Sequence, residues 1–144
     1  MSQLSLTVSL NGPVSSVFEA FVLPEKLIQW FAPGEVFVAP VMSDFHEGGR
    51  YTWTMQEPSG QQYQLVGEYL AIEQNAHIRY SWAWMDNEEE TVMSIVDIVF
   101  VSVNDTTTEV TLTHSGFAND DERDQHQYAW IVCLEKLSRL TLSD

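Results

Sequence analysis

Residues 107–140 read TTEVTLTHSGFANDDERDQHQYAWIVCLEKLSRL. In the first part Val110, Leu112 and His114 alternate with Glu109, Thr111 and Thr113, the period-two pattern of a strand with one dry face. Asn119-Asp120-Asp121-Glu122 then reads as a helix N-cap with an acid at the third helical position, and first-turn carboxylates suit the positive end of a helix dipole. Trp130, Cys133, Leu134, Leu137 and Leu140 follow as a wide helical stripe, and Glu135 can pair with Arg139 one turn on. The segment predicts a strand, a turn and one long terminal helix. Such a helix needs a sheet to lie against.

Working back toward the N-terminus supplies that sheet. Leu4, Leu6, Val8 and Leu10 alternate with Ser5, Thr7 and Ser9, which predicts a first strand. Asn11-Gly12-Pro13 breaks it and offers a helix start, with proline where its missing N–H costs nothing. Val14, Val17, Phe18 and Phe21 form a short helical stripe. Pro24 ends that helix and opens a second, in which Leu27, Trp30 and Phe31 share a face before Pro33-Gly34 stops it. In the middle, Tyr51, Trp53 and Met55 predict one strand, Gln64 to Glu73 a second whose inner face Gly67 obscures, and Ile78, Tyr80, Trp82 and Trp84 a third. Val92 to Val103 is apolar on both faces, as expected of a strand covered on both sides or lying where two copies meet. Mostly hairpin-linked strands with segregated helices predict an α+β fold with an antiparallel sheet.

Composition narrows the function classes. The chain of 144 residues suits one domain spanning 1–144, and 44% apolar residues exclude intrinsic disorder. Six Lys+Arg against 21 Asp+Glu give a net charge of −15, which repels phosphate backbones and anionic lipid, so neither nucleic acid nor a membrane is an expected partner. No basic region precedes an apolar stretch at the N-terminus, so the expected location is the cytoplasm. The single cysteine, Cys133, falls in the helical stripe and suggests neither a disulfide nor a reactive thiol. His46, His77, His114 and His126 have no metal-ligand spacing, the acidic runs 86–90 and 120–124 lack the calcium-loop pattern, and no phosphate-cradling glycine motif is present. No metal and no cofactor are expected. The first acidic run reads as a solvated hairpin tip, the second as a helix start.

The element order resembles the helix-grip fold of the START-like (SRPBCC) superfamily, in which a curved antiparallel sheet wraps around a long C-terminal helix, with two short helices after the first strand. More narrowly, the chain is similar to the bacterial proteins related to the C-terminal domain of the activator of the ninety-kilodalton heat-shock-protein ATPase (AHSA-like). Pro13 to Phe21, Pro24-Glu25 and Trp30-Phe31 resemble the opening "P-x-x-x-V-W-x-A-[LF], P-E, W-F" of that family. Asp44-Phe45-His46-Glu47-Gly48-Gly49-Arg50-Tyr51 resembles "D-x-R-x-G-G-x-[FW]", and Gly67 to Ile72 resembles "G-x-Y-x-E-I". Thr108 to Gly116 with Trp130, Leu134 and Leu137 resembles the closing "T-x-[VL]-x-[LV]-x-H-x-G … W-x-x-x-L-x-x-L". His46 in place of Arg, Ala71 in place of Glu, and Gln74-Asn75-Ala76 in place of a proline-containing turn are the departures.

The resemblance implies a cavity between sheet and helix. The faces expected to line it carry Phe31, Tyr51, Trp53, Trp82, Trp84, His114, Phe117 and Trp130; the bland alternative is that these rings fill a solid core. His114, in register with Val110 and Leu112, is either a ligand-binding or basic group or a hydrogen-bonded core histidine. Asp97, on an otherwise apolar strand, is a candidate cavity partner for Arg50 or Arg79, or else faces outward. With no strong catalytic constellation, the expected function is a non-enzymatic binding protein for a small apolar or amphipathic molecule. A co-chaperone-like activator of the heat-shock ATPase is the alternative that the family name implies, although its eukaryotic members carry a further N-terminal domain. A cyclase or dehydratase using His114 and Asp97 is the third reading, and it requires both side chains in one pocket.

Overall fold

The computed structural model describes residues 2–31, 37–86, 89–90 and 93–140. Strand β1 (Ser2–Asn11) leads into helices α1 (Val14–Val22) and α2 (Pro24–Leu27). Strands β2 (Phe37–Ser43), β3 (Arg50–Gln56), β4 (Gln62–Glu73), β5 (His77–Asp86), β6 (Glu89–Glu90), β7 (Ser94–Asn104) and β8 (Thr107–Phe117) follow, and helix α3 (Asp120–Ser138) closes the order. The strands pair in the order β1-β8-β7-β5-β4-β3-β2, every pairing antiparallel, with the short β6 hydrogen-bonded to β5 beside that path. Because β8 is the last strand and pairs with the first, α3 leaves the sheet next to β1 and lies over it.

Alternation fixes one buried face. Val110, Leu112 and His114 of β8, Val96, Ile98 and Phe100 of β7, and Ile78, Tyr80 and Trp82 of β5 are all buried, as are Tyr51, Trp53 and Met55 of β3. On the other face of β1 and β8, hydroxyls pair across the strands, Ser5 with Thr113 at 3.3 Å and Thr7 with Thr111 at 3.2 Å. The buried stripe of α3 is Trp130, Cys133, Leu134 and Leu137. Its N-cap is Asn119, whose side chain accepts from the Glu122 N–H at 2.9 Å, as the sequence pattern predicts. Helix α1 buries Val17, Phe18, Ala20, Phe21 and Val22, and the indole N–H of Trp30 donates to the Ala20 carbonyl at 2.8 Å, fastening the turn after α2 onto α1.

Several expectations change. Pro13 is the N-cap of α1 rather than its first helical residue. The stop at Pro33-Gly34 lies outside the described residues, as do the side chains of the acidic run 86–90, although β5 and β6 pair Asp86 with Glu89 there. Strand β2 has no counterpart in the sequence reading. It contains Pro40, which lacks a ladder donor and is tolerated because β2 is an edge strand. In β7 the chain itself covers only one of the two faces: Val99, Val101 and Val103 are 41%, 51% and 58% exposed, which removes the first of the two alternatives and leaves a contact between two copies as the other. In β4 the inner face is Leu65, Gly67 and Tyr69, and a register shift between Tyr69 and Ala71 breaks the alternation. The Gly67 position is occupied from across the strand. Tyr51 pairs with it in register, and a Cβ on Gly67 would meet the Ser81 carbonyl oxygen at 2.0 Å and Tyr51 Cε2 at 2.5 Å.

Candidate functional site

A cavity of about 520 Å³ lies between the first half of α3 and the concave faces of β5, β7 and β8. Its walls are Tyr63 from β4, Trp82 and Trp84 from β5, and Ser94, Gly116 and Phe117 from β7 and β8. Glu122, Gln125, His126 and Ala129 of α3 complete it. Register explains the sheet side. Trp82 stands opposite Ser94, and Gly116, at φ +92°, turns the chain beside Ser94, whose Cα would lie 3.3 Å from an added Cβ. Helical spacing explains the other side. Glu122, Gln125, His126, Ala129 and Trp130 recur at the three- and four-residue steps of one face, so the cavity-lining residues prolong the apolar stripe toward the N-terminus of α3.

Behind the cavity lies a chain of hydrogen bonds. The Trp130 indole N–H donates to His114 Nδ1 at 3.1 Å, so the imidazole proton sits on Nε2, which donates to Ser94 Oγ at 2.7 Å. Ser94 Oγ in turn donates to the Trp82 carbonyl at 3.2 Å. The chain ends on backbone and leaves no proton to exchange. Burial, with a smaller contribution from His126, pushes the His114 pKa down to about 3, so the ring is neutral. A second imidazole repeats the arrangement: the Trp84 indole donates to His126 Nε2 at 3.1 Å, and His126 Nδ1 donates to the Glu122 carbonyl at 2.7 Å. The His114 and His126 rings are 5.5 Å apart, and Phe117 lies against both at 4.4 and 5.0 Å. At the outer wall the Tyr63 hydroxyl donates to the Glu57 carboxylate; burial first, and then that bond, raise its pKa to about 12. Among the described residues no group of three or more His, Cys, Asp or Glu is placed to hold a metal ion.

The candidate residues from the sequence divide in two. Ring contacts connect all of them: Phe31 touches Trp53, Trp82 and Trp130 at 4.7, 5.9 and 5.8 Å, Tyr51 lies 4.4 Å from Trp53, and Trp82 joins Trp84 and His114 at 5.8 and 4.9 Å. Only Trp82, Trp84 and Phe117 border the cavity. Phe31, Tyr51, Trp53 and Trp130 are packed behind it, and His114, fully buried, is a hydrogen-bonded core histidine. The proposed pair of Asp97 and Arg50 does not form in the cavity. Val96 and Ile98 occupy the inner face of β7, so Asp97 projects outward, where it meets His77 Nε2 at 2.6 Å and Arg79 at 3.6 Å. Arg50 borders a hollow of about 100 Å³ with Glu68, Leu70 and Met93. Asp97 and His114 are thus on opposite faces of the sheet, which dismantles the acid/base set of the third reading. Sequence reasoning missed Tyr63, Ser94, Gly116, Glu122, Gln125, His126 and Ala129. The helical step back from Trp130 to His126 and Glu122 was the available signal.

A curved antiparallel sheet gripping a C-terminal helix, with a cavity between them, is the helix-grip arrangement of START-like proteins, a fold that commonly holds hydrophobic ligands. The chain belongs to the AHSA1 family: the family model described as "Activator of Hsp90 ATPase homolog 1-like protein" matches residues 11–141. A crystal structure of a Chromobacterium violaceum protein superimposes with a TM-score of 0.88 at 23% identity, covering 100% of both chains. An AHSA1 protein of Silicibacter pomeroyi gives 0.84 at 21% identity over 95% of each chain, and a Nitrosomonas europaea protein 0.80 at 22% over 94% of this chain and 91% of its own. At those identities the likeness shows the fold. Comparison with curated proteins finds no match. No helix among the described residues is long and apolar enough to cross a membrane.

Proposed function

We propose that this protein is a cytoplasmic, non-enzymatic binding protein that holds a small apolar or amphipathic molecule in the open-sided cavity between sheet and helix. The observation that supports the reading best is the cavity of about 520 Å³, walled by Tyr63, Trp82, Trp84 and Phe117. That volume suits a drug-sized ligand, and aromatic walls with few polar groups are the usual lining of such a site. Trp82 and Trp84 make the test direct, since a ligand in the cavity touches an indole. Titration with a fatty acid, a flavonoid and a polycyclic aromatic should give a saturable change in tryptophan emission with at least one of them. The same probe should raise the melting temperature, because it binds only the folded state. No saturable change with any probe would remove the reading.

The family's description supports a second reading, a co-chaperone-like partner of a heat-shock ATPase. Measuring that ATPase with and without this protein separates the two. Stimulation by protein whose cavity is blocked with a tight probe would favour the chaperone role.

A further inference from the structure

We propose that the cavity selects a cationic amphiphile, an aromatic or alkyl group carrying a protonated amine, over the corresponding acid or alcohol. The proposal rests on the small-molecule reading above and names the class of ligand. It comes from counting what the lining has left to offer. The Trp84 N–H is taken by His126, the Tyr63 O–H by Glu57, the His126 Nδ1–H by the Glu122 carbonyl, and the Ser94 O–H by the Trp82 carbonyl. The Trp82 N–H has no acceptor and is sealed from solvent. The donors of the aromatic, imidazole and hydroxyl groups are therefore turned inward, and the groups still open to a ligand are the Glu122 carboxylate, which only accepts, and the Gln125 amide, which can accept or donate, both exposed.

Charge points the same way. The chain has six basic residues, all within the described segments, and none lines the cavity. Arg123, beside Glu122 in the chain, is held by Asp120 and Asp124 at 3.7 and 2.9 Å. The start of α3 carries a partial positive charge that would favour an anion, yet Asp120, Asp121 and Glu122 in its first turn outweigh the half-charge of a helix end. A carboxylate ligand would meet the field of a protein with net charge −15 and no cation to pair with. An ammonium group would meet Glu122 at the rim and aromatic walls beyond it, both favourable to a cation.

The test uses three probes with one ring system: 2-(2-naphthyl)ethylamine, 2-(2-naphthyl)ethanol and 2-naphthylacetate, titrated calorimetrically into the intact protein at low salt. The amine should bind at least about tenfold more tightly than the carboxylate, with the alcohol between them. Glu122→Gln should weaken the amine about three- to fivefold and leave the alcohol within about twofold. Glu109→Gln, which removes the same charge from the exposed outer face of β8, should change the amine by less than about twofold. Equal binding of all three probes would overturn the selection while leaving the cavity reading intact, as would an amine preference that Glu109→Gln reduces as much as Glu122→Gln. If none of the three binds, both the selection and the small-molecule reading fall.

Discussion

Trp130 has one proton to donate, and by giving it to His114 Nδ1 it fixes the tautomer of a ring with no exposed surface. Its consequence is a pH dependence whose sign can be worked out. The His114 pKa is about 3 in the folded protein against an ordinary 6.5, so between those values the unfolded chain takes up a proton that the native state refuses. The stabilising effect is complete above about pH 6.5 and is lost as pH falls toward 3, by up to about 1.4 kcal/mol per pH unit. Comparing denaturant unfolding at pH 7.5 and 5 should show a loss for wild type that is clearly smaller in His114→Gln, whose amide can still accept from Trp130 and donate to Ser94. An identical loss in both proteins would mean that His114 is protonated without penalty. Gly67 is the other residue whose environment dictates its identity. Gly67→Ala would drive a methyl into the Ser81 carbonyl and the Tyr51 ring, so stability should fall by about 3 kcal/mol in the same assay. The hydrogen-bonded core role of His114 was one of two alternatives legible in the sequence, whereas the partners of His114 and the role of Gly67 were not. The sequence places His114 on an inner face and Gly67 within a strand, but what lies across from each is decided by register with Val96 and Tyr51.

At the scale of elements, α3 is two helices in one. From Trp130 onward its stripe is buried, whereas of the preceding residues none is buried and His126 and Ala129 are only half-covered. The apolar stripe made the second half easy to read from residue spacing, as did the strands whose alternation is clean. The first half was obscure because its inward face is polar, and polar residues at helical spacing look like a solvated surface. That same polarity keeps it from collapsing onto β5 and β8, and the cavity is the space that remains. Unequal protection should follow. Amide exchange in 120–128 should be faster than in 130–138, and a bound ligand should slow the first half selectively. Trp130→Ala should destabilise by about 3–5 kcal/mol, since it removes a 3%-exposed indole and leaves His114 Nδ1 without its donor. A uniform exchange pattern along α3 would contradict this division.

For the whole molecule, the excess of acids acts on both the fold and the site, with opposite signs. The ion pairs use the basic residues locally: Lys26 with Glu19 at 3.0 Å, Arg79 with Asp97 at 3.6 Å, Arg123 with Asp124 at 2.9 Å, and Arg139 with Glu135 at 4.0 Å. With 21 acids against six Lys+Arg, there are too few Lys and Arg to pair with most carboxylates, and compaction concentrates their mutual repulsion. Raising salt from about 10 mM to about 0.15 M shortens the screening length from roughly 30 Å to roughly 8 Å, so the melting temperature of the ligand-free protein should rise. Aggregation should set in near the pI of about 4.3, where the net repulsion vanishes. The affinity for an amine probe should fall over the same salt range, because the field that strains the fold is the one that draws the cation in. The two slopes can be read from one series of melts with and without the probe: the melting temperature of the free protein climbs with salt while the shift produced by the probe shrinks. A free-protein melting temperature that falls with added sodium chloride would show that local ion pairs outweigh the general repulsion. A probe-induced shift that holds constant would place the amine outside the reach of that field, and so outside the acidic mouth at Glu122.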